Sequence, residues 1–235
     1  MKIAFIGFGA MGKIVKSLTD EKGYETAAIV DDSQAGLSAD GLAEKLRTAD
    51  AVIDFSAPAA VRRNVEACLL AGVPLVEGTT GWNSEREAIE RIVRDGSGAM
   101  VFGANFSIGV NLFYRIADFA SELFSAFPEY EAFIEEQHHS RKKDAPSGTA
   151  LKLKDIVSRH IEGGISVAST RAGNIPGTHR VGFDGPADQI ILEHFARSRV
   201  GFAAGALIAA EWIIGKNGFF EFTDIMDDIC RRRDE

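Results

Sequence analysis

Two adjacent histidines followed by a lysine form the most reactive stretch of the chain. His138 and His139 stand side by side, and Lys142 follows four residues after the first of them. Histidine exchanges protons near neutral pH, and a lysine ammonium can donate a proton and attract an anion. Neighbouring side chains on an extended backbone point to opposite faces, so we expect the two histidines to have different roles. Without further context such a pair is as readily explained by solvated surface histidines.

The segment after the lysine has the composition of a helix start. In Pro146-Ser147-Gly148-Thr149, Ser147 or a neighbour can cap a helix, and Gly148 exposes the backbone. The free N–H groups of a helix start attract anions, and the hydroxyls of Ser147 and Thr149 can assist. In a chain of net charge -8, this cationic loop predicts a small substrate that carries carboxylates.

Other reactive chemistries fit the stretch less well. Glu135, His138 and His139 resemble metal ligands, but their spacing is not that of an HExxH motif, and Lys142 would repel a cation. The sequence contains no G-x-S-x-G element of a serine nucleophile. We therefore predict neither a metal centre nor a nucleophilic serine or cysteine.

A second group of residues has the pattern of a dinucleotide site. The segment Gly7-Phe8-Gly9-Ala10-Met11-Gly12 follows a predicted strand and opens a predicted helix, the context in which G-x-G-x-x-G is informative. The glycines permit a tight turn, close approach of a pyrophosphate and close helix–strand packing. Asp31, at the end of the second predicted strand, can accept hydrogen bonds from the adenine ribose. The alternative is a structural turn with Asp31 capping a loop.

The acidic end of the second strand bears on cofactor choice. No arginine stands beside Asp31 and Asp32 in the sequence, so a 2′-phosphate would meet two negative charges. We predict that NADH is favoured or at least accepted relative to NADPH. Two loops at the carboxyl ends of later strands are expected to hold the nicotinamide half. They contain Gly78, Thr79 and Thr80, and Gly103, Ala104, Asn105 and Phe106.

Alternating apolar runs and amphipathic stretches position these residues. Strands are predicted at 3–7, 25–30, 51–55, 74–77 and 99–102, and helices at 12–20, 41–48, 59–71 and 84–95. This alternation predicts an α/β fold with a Rossmann-type doubly wound parallel sheet.

The pattern changes after about residue 105. A helix at 111–127, a strand at 129–138, a helix at 149–160 and short strands to 198 predict a smaller α+β domain with an open mixed sheet. An amphipathic helix at 202–214 and the segment 219–229 are expected to return to the first domain. The predicted dinucleotide-binding domain thus comprises residues 1–105 and 200–235, and the second domain residues 106–199.

The composition excludes several other functions. The net charge of -8 argues against binding to nucleic acid, which needs a basic face. The longest apolar run, 203–214, is interrupted by Glu211 and is too short to span a membrane. The sequence opens directly into a strand, and Cys68 and Cys230 fit reduced thiols, so we expect a cytoplasmic protein. Residues 231–235, three arginines and two acids, are predicted to be a solvated tail.

Together these residues resemble the 4-hydroxy-tetrahydrodipicolinate reductase (dihydrodipicolinate reductase) family over nearly the whole chain. The most specific match is the stretch from His138 and His139 through Lys142 and Asp144 to residues 146–150. Supporting matches lie at 52–56, 78–81, 104–111, 171–173 and 198–206.

The resemblance implies reduction of 4-hydroxy-tetrahydrodipicolinate to tetrahydrodipicolinate with NADH and/or NADPH, in lysine and diaminopimelate biosynthesis. It implies that His138 is a proton donor and acceptor, that Lys142 is the proton donor, and that His139, Gly148 and Thr149 bind the substrate dicarboxylate beside Ser147. It further implies a homotetramer built through the sheet of the second domain, which thus serves substrate binding and oligomerisation. The implied cofactor-binding residues are Gly7, Phe8, Gly9, Ala10, Met11, Gly12, Asp31, Gly78, Thr79, Thr80, Gly103, Ala104, Asn105, Phe106, Arg199 and Phe202.

The chain departs from the family pattern in two ways. Its glycine loop is one residue shorter than in many members and lacks their arginine after the second glycine, which bears on the cofactor preference. It is also short in the region 32–50 and in the loops of the second domain. One alternative is another two-domain NAD(P)-dependent amino-acid or sugar dehydrogenase, but such enzymes lack the 146–149 loop after paired histidines. The other is a non-catalytic NAD-binding redox sensor, which needs a partner surface that is not evident in the sequence.

Overall fold

The computed structural model describes residues 1–231, and the predicted solvated tail lies almost entirely outside them, at residues 232–235. The chain divides into two compact units. The first contains Met1–Ser107 and the return segment that begins at Arg199, and the second contains Ile108–Ser198. Among the described residues, no helix is long and apolar enough to cross a membrane.

The first unit is built on a six-stranded sheet in which all neighbouring strands are parallel. The strands are β1 (Lys2–Ile6), β2 (Glu25–Val30), β3 (Ala51–Asp54), β4 (Leu75–Glu77), β5 (Ala99–Phe102) and β10 (Gly218–Glu221). Their spatial order is β2-β1-β3-β4-β5-β10. All four residues of β3 are buried, as expected for a central strand covered by helices on both faces. The predicted doubly wound sheet is confirmed.

Six α-helices lie among the described residues of this unit. They are α1 (Ala10–Glu21), α2 (Ala39–Leu46), α3 (Val61–Ala71), α4 (Arg86–Asp95), α7 (Val200–Ile213) and α8 (Phe222–Arg231). Helix α4 shows the expected amphipathic pattern, because it buries Ile89 and Val93 and exposes most of its charged residues. The prediction of an amphipathic helix at 202–214 is wrong in one respect. Eight residues of α7 are buried, so the helix is enclosed on most sides.

The second unit has an open mixed sheet with two helices, which confirms the predicted α+β architecture. Its elements are α5 (Ile108–Phe124), β6 (Glu131–His138), α6 (Gly148–Val157), β7 (Ser166–Arg171), β8 (Thr178–Asp184) and β9 (Gln189–Phe195). The strand order is β7-β6-β8-β9, with β6 parallel to β7 and antiparallel to β8. Phe113 and Tyr114 of α5 and Leu153 of α6 join Ile134 and Phe183 of the sheet in one apolar core.

One strand was not predicted. Residues 218–221 form β10, which adds a sixth parallel strand by pairing Phe219 with Met100 of β5. The sequence predicts only that the segment 219–229 returns to the first domain, without a strand. A four-residue strand is too short to show a period of its own, and its partner lies more than a hundred residues earlier.

Candidate active site

The glycine-rich turn between β1 and α1 is shaped by close backbone contacts. Gly7 has φ +79°, and a Cβ there would lie 2.4 Å from the carbonyl oxygen of Phe55. A Cβ on Gly12 would lie 2.4 Å from the carbonyl oxygen of Gly7. Any side chain at either position would force the turn apart, so both glycines are required by the fold of the turn itself.

Gly9, between these two, leaves room for a ligand. A Cβ on Gly9 would meet nothing within 4 Å, and Gly9 caps α1 without a side-chain hydrogen bond. The N–H groups of a first helical turn have no intrahelical acceptor, so they can donate to an anion. Gly9 and Ala10 are exposed, whereas Phe8 and Met11 are half-buried. These residues fit the pyrophosphate of a dinucleotide.

Asp31 follows β2 and caps a short 3₁₀ turn. Its Oδ1 accepts hydrogen bonds from the hydroxyl of Ser33 at 2.5 Å and from the Ser33 amide at 3.0 Å. These two bonds lower the pKa of Asp31, so the exposed carboxylate is ionised at neutral pH. Arg63 of α3 lines the same cleft as Asp31 and Asp32. No arginine neighbours the two acids along the sequence, but in the folded chain an arginine lines the cleft that contains them.

The loop after β4 is tied to the interior. The amide of Thr79 donates to Oε1 of Glu77 at 2.7 Å, and its Oγ1 accepts from the amide of Ser56 at 3.1 Å. Thr79 is buried and Thr80 is exposed. A Cβ on Gly78 would collide with the ring of Phe55 at 2.2 Å. Of the three predicted cofactor residues here, Thr80 has the side chain that faces solvent.

In the loop after β5 and at the start of α7, some of the predicted cofactor residues are likewise buried and others are exposed. Phe106 is buried against Phe222, with ring centroids 4.7 Å apart, and Asn105 Oδ1 accepts from the amide of Ser107 at 2.9 Å. Gly103 is buried, whereas Ala104 is exposed. At the start of α7, Arg199 is exposed and Phe202 is half-buried.

In the second unit, His138 closes β6 and is held by a carboxylate on the same strand. Its Nδ1 contacts Oε2 of Glu136, which lies two residues earlier and hence on the same face. A Cβ on Gly177 would lie 3.2 Å from Nε2 of His138, so the glycine keeps that side of the ring clear. Burial lowers the pKa of His138 despite the attraction of Glu136, so the ring is neutral at pH 7.

Glu136 owes its charge to Arg171, at the end of the neighbouring strand β7. The guanidinium donates to both carboxylate oxygens, with Nη2 to Oε1 at 2.6 Å and Nη1 to Oε2 at 2.9 Å. Burial opposes ionisation of Glu136. Hydrogen bonds from Arg171, Ser169 and His138 outweigh it and lower the pKa of Glu136 to about 2. A carboxylate that is ionised at neutral pH therefore fixes the imidazole by accepting its Nδ1–H, which leaves Nε2 free to exchange a proton.

Lys142 lies in the loop that follows β6. Its Nζ pairs with Oδ1 of Asp144 at 2.8 Å, and its amide donates to the carbonyl of His139 at 3.1 Å. Lys142 is partly buried and Asp144 is largely exposed. His139 is half-buried and, unlike His138, makes no contact with Glu136 among the described interactions. The paired histidines thus occupy different environments, as their spacing predicts.

The predicted helix start is confirmed at α6. Ser147 caps it by accepting a hydrogen bond from the amide of Ala150 at 3.2 Å, and its Oγ lies 3.0 Å from Nε2 of His179. Burial lowers the pKa of His179 to about 4, so the ring is neutral at pH 7 and shares a hydrogen bond with the Ser147 hydroxyl. The Thr149 side chain bonds to the hydroxyl of Tyr114. Gly148 is exposed, and a Cβ there would meet nothing within 4 Å, so open space lies over the helix start.

Three groups of this site can also ligate metals. Donor atoms of Glu136, His138 and His179 lie within 4.8 Å of one another, a set different from the Glu135, His138 and His139 considered in the sequence. Both oxygens of Glu136 accept from Arg171. The positive charge that balances Glu136 is therefore the guanidinium of Arg171.

Sequence reasoning missed three residues of the site, namely Glu136, Arg171 and His179. The signal for Glu136 was its position two residues before His138 on a predicted strand. Arg171 and His179 come from β7 and β8, and they reach the site through strand pairings that place Arg171 opposite His138 and His179 opposite Glu136. No local pattern reports such pairings.

Comparisons with known proteins cover nearly the whole chain. A family model described as "Dihydrodipicolinate reductase, N-terminus" matches residues 1–106, and one described as "Dihydrodipicolinate reductase, C-terminus" matches residues 109–226. A protein of Christiangramia forsetii named 4-hydroxy-tetrahydrodipicolinate reductase is 32% identical over 243 residues, covering 98% of this chain and 100% of that protein. A protein of the same name from Methanosarcina barkeri is 35% identical over 236 residues, covering 93% of this chain and 82% of that protein.

A solved structure shares the fold. It is a dipicolinate-bound dihydrodipicolinate reductase from Paenisporosarcina sp. TG-14, with a TM-score of 0.78 and 21% identity, covering 96% of this chain and 99% of that chain. The two family models together span nearly all of the sequence, and both relatives exceed 30% identity. The chain belongs to the dihydrodipicolinate reductase family.

Proposed function

We propose that this chain reduces 4-hydroxy-tetrahydrodipicolinate to tetrahydrodipicolinate, a step of lysine and diaminopimelate biosynthesis. One observation carries the proposal. In a chain that matches the family over nearly its whole length, an imidazole fixed by a buried ion pair lies on the strand that leads into Lys142 and the open start of α6. The same unit thus offers a proton acceptor, an ammonium and an anion-binding helix start.

The reaction replaces a hydroxyl group of the substrate by hydrogen, so each turnover consumes one hydride and one proton and releases water. A reduced dinucleotide, when bound, supplies the hydride. Loss of that hydroxyl as water, together with a hydrogen of the neighbouring ring carbon, first forms a C=C bond conjugated with the ring C=N bond. Hydride addition to the far carbon of this C=C bond then moves an electron pair toward the ring nitrogen. That nitrogen then needs a proton from the protein.

We assign these proton transfers to His138 and Lys142. The Lys142 ammonium stabilises the electron density at the ring nitrogen and donates the proton. His138, neutral at pH 7 and anchored at Nδ1 by Glu136, accepts and returns a proton at Nε2. Glu136 acts through His138 and is therefore a positioning residue.

We propose that the substrate carboxylates bind at the start of α6. Gly148 leaves open space there, and Ser147 and Thr149 flank it at the helix start, where His139 would add a further contact. The buried Ser147 hydroxyl already caps the helix, so its part is to hold the loop. The Paenisporosarcina structure contains dipicolinate, a planar ring with two carboxylates, which is the ligand type that such a site would accept.

For the dinucleotide, we propose that residues 1–105 and 200–235 form the binding domain. The turn of Gly7, Gly9 and Gly12 would receive the pyrophosphate, and Asp31 the adenine ribose. The exposed Thr80 and Ala104 and the backbone around them would meet the nicotinamide half. Asp31 and Asp32 disfavour a 2′-phosphate, so we propose that NADH is favoured or at least accepted. A kcat/KM for NADPH that greatly exceeds that for NADH would contradict this preference.

We further propose that residues 106–199 form the substrate-binding and oligomerisation domain of a cytoplasmic homotetramer. Helices α5 and α6 pack on one face of the sheet, and Ile191 and Phe195 of β9 are exposed on the strand at its edge. Sedimentation analysis would test the tetramer. The free thiols of Cys68 and Cys230 are compatible with a reducing compartment.

The decisive assay follows NADH absorbance while an aldolase generates the substrate in the cuvette. We expect oxidation with this substrate and none with common amino acids or sugars. Lys142→Ala and His138→Ala should each lower kcat by more than about tenfold, or roughly 1.4 kcal/mol. Lys143→Ala, the exposed neighbour, is the matched control and should leave kcat unchanged. Retention of kcat within tenfold in both site variants would refute the assignment.

A further inference from the structure

A cleft of about 320 Å³ lies beside the glycine-rich turn of the first unit. Its walls include Gly7 and Gly9 of the turn, Asp31 and Asp32 after β2, and Arg63 of α3. If the chain binds a dinucleotide as proposed, this cleft is where the adenosine half follows the pyrophosphate. Arg63 is the one cation among the described residues that line it.

The Arg63 guanidinium is fixed by neutral partners. Its Nε and Nη2 donate to Oδ1 of Asn64 at 3.1 and 2.8 Å. Its Nη1 donates to the carbonyl oxygen of Ala35 and, at 3.4 Å, to that of Leu37. Asn64 is itself buried and donates to Asp54 at 2.6 Å. The arginine is therefore anchored from the interior, and within residues 1–231 no ion pair joins it to a carboxylate.

This anchoring decides which part of the guanidinium can meet a ligand. Of its five N–H groups, four already have acceptors, so Arg63 cannot present the two-pronged donor that grips a phosphate. The planar face of the cation is not used by these bonds. A guanidinium face packs well on an aromatic ring, and it keeps its charge while doing so.

We infer that Arg63 binds the adenine ring of the cofactor through its planar face, and that it strengthens binding of NADH and NADPH alike. Asp31 remains the group that faces the ribose, so cofactor discrimination rests with Asp31 and Asp32. The inference depends on the proposed dinucleotide function but adds a residue and a role to it. Arg63 is an affinity residue and not a ligand of a 2′-phosphate.

The test compares ligands that contain or lack adenine. Dissociation constants for NADH, NADPH, ADP-ribose and reduced nicotinamide mononucleotide are measured by fluorescence or calorimetry with the full chain. Arg63→Ala should weaken NADH, NADPH and ADP-ribose by a similar factor, about 2- to 30-fold, as expected for loss of a cation–aromatic contact. Binding of reduced nicotinamide mononucleotide should not change.

Arg62→Ala is the matched control, because Arg62 is the adjacent residue of α3, is exposed, and pairs with Glu66. It should leave every dissociation constant within about twofold. Where Arg63→Ala does not fold, Arg63→Gln, which retains a side chain able to contact the 35–37 loop, should show the same loss.

The outcomes separate the possible failures. Loss confined to NADPH would show that Arg63 binds the 2′-phosphate and would overturn the inference. Unchanged binding of ADP-ribose in a folded Arg63 variant would also overturn it. Failure of the wild-type chain to bind NADH, NADPH or ADP-ribose would instead refute the proposed dinucleotide function.

Discussion

A buried pair of carboxylates in the first unit makes the stability of the protein depend on a single proton. Asp54 and Glu77 lie opposite each other on β3 and β4 and are fully buried. Asp54 accepts from the amide of Ser56 at 2.8 Å and from Nδ2 of Asn64 at 2.6 Å, and Glu77 Oε1 accepts from the amide of Thr79. Glu77 Oε2 is buried and has no donor among the described residues. A proton shared with Asp54 supplies one, so we infer that the pair holds one proton.

The sign of the pH effect follows from the direction of the pKa shifts. Burial raises the pKa of Glu77 well above its ordinary value, and the nearby charge of Asp54 adds to the increase; burial also raises the pKa of Asp54. In the unfolded chain both groups lose their protons above about pH 4 to 5. Above that pH the folded state binds one more proton, so stability falls as the pH rises, by about 1.4 kcal/mol per pH unit, until the folded pair ionises.

Glu77→Gln should remove this dependence. The amide oxygen can still accept from Thr79, and the amide NH2 takes the place of the bare oxygen and donates to Asp54 without titrating. We expect wild type and variant to have similar free energies of unfolding near pH 5, and the variant to gain roughly 1 kcal/mol per pH unit over wild type above it. Urea denaturation in half-unit steps from pH 5 to 9 measures the difference. Glu87→Gln, an exposed change on α4, is the control.

Asp54→Asn should behave differently, although it also removes one charge. Both oxygens of Asp54 accept hydrogen bonds, one from the Ser56 amide and one from Nδ2 of Asn64. The NH2 group of an asparagine would therefore face one of these two donors. Asn64 cannot turn to relieve this conflict, because its Oδ1 accepts from Arg63. We expect a loss of about 1–3 kcal/mol at every pH. Parallel pH curves for wild type and Glu77→Gln, or equal behaviour of the Glu77 and Asp54 variants, would refute the single shared proton.

Two further predictions concern the second unit. Glu136→Gln removes the charge that balances Arg171 and should lower the free energy of unfolding by roughly 3 kcal/mol at pH 7, an effect that fades as the pH falls toward 2. Because Glu136 raises the pKa of His138, the same change should move the acidic limb of the kcat–pH profile to lower pH. An unmoved limb would contradict the positioning role of Glu136. Ser147→Ala should lower the free energy of unfolding, measured by urea denaturation, by about 1–2 kcal/mol, since it removes a helix cap and leaves His179 without its partner. Ser38→Ala, which removes only the exposed cap of α2, is the control and should lower it less.

Most of the fold could be predicted from the sequence because its strands and helices carry their own periodicity. The glycine turn and the cap of α6 are likewise local, since a helix start needs a capping residue and an open backbone within a few positions. The segment that forms β10 carries too few residues for such a pattern. Its strand state is set by pairing with β5, which the sequence does not report.

The site was predictable only in part for the same reason. His138, Lys142 and Ser147 lie within ten residues of one another, so their types and spacing identify them together. The groups that tune them come from elsewhere in the chain, as Arg171 does through the pairing of β6 with β7. Arg63 reaches the cleft of Asp31 in the same way, from a helix that begins thirty residues later. Local patterns therefore predict the proposed reacting groups, whereas tertiary pairing determines their charge and orientation.

The ion pairs of the second unit indicate which cation can respond to a substrate. Arg171 is bound to buried Glu136 by two hydrogen bonds, and separating a buried pair leaves an uncompensated charge that costs about 3–5 kcal/mol. Lys142 is paired with Asp144, whose side chain is 55% exposed, and exposed pairs contribute at most about 1 kcal/mol. A substrate carboxylate or ring nitrogen can therefore take Lys142 from Asp144 at little cost, while Arg171 stays in place to keep Glu136 and His138 oriented.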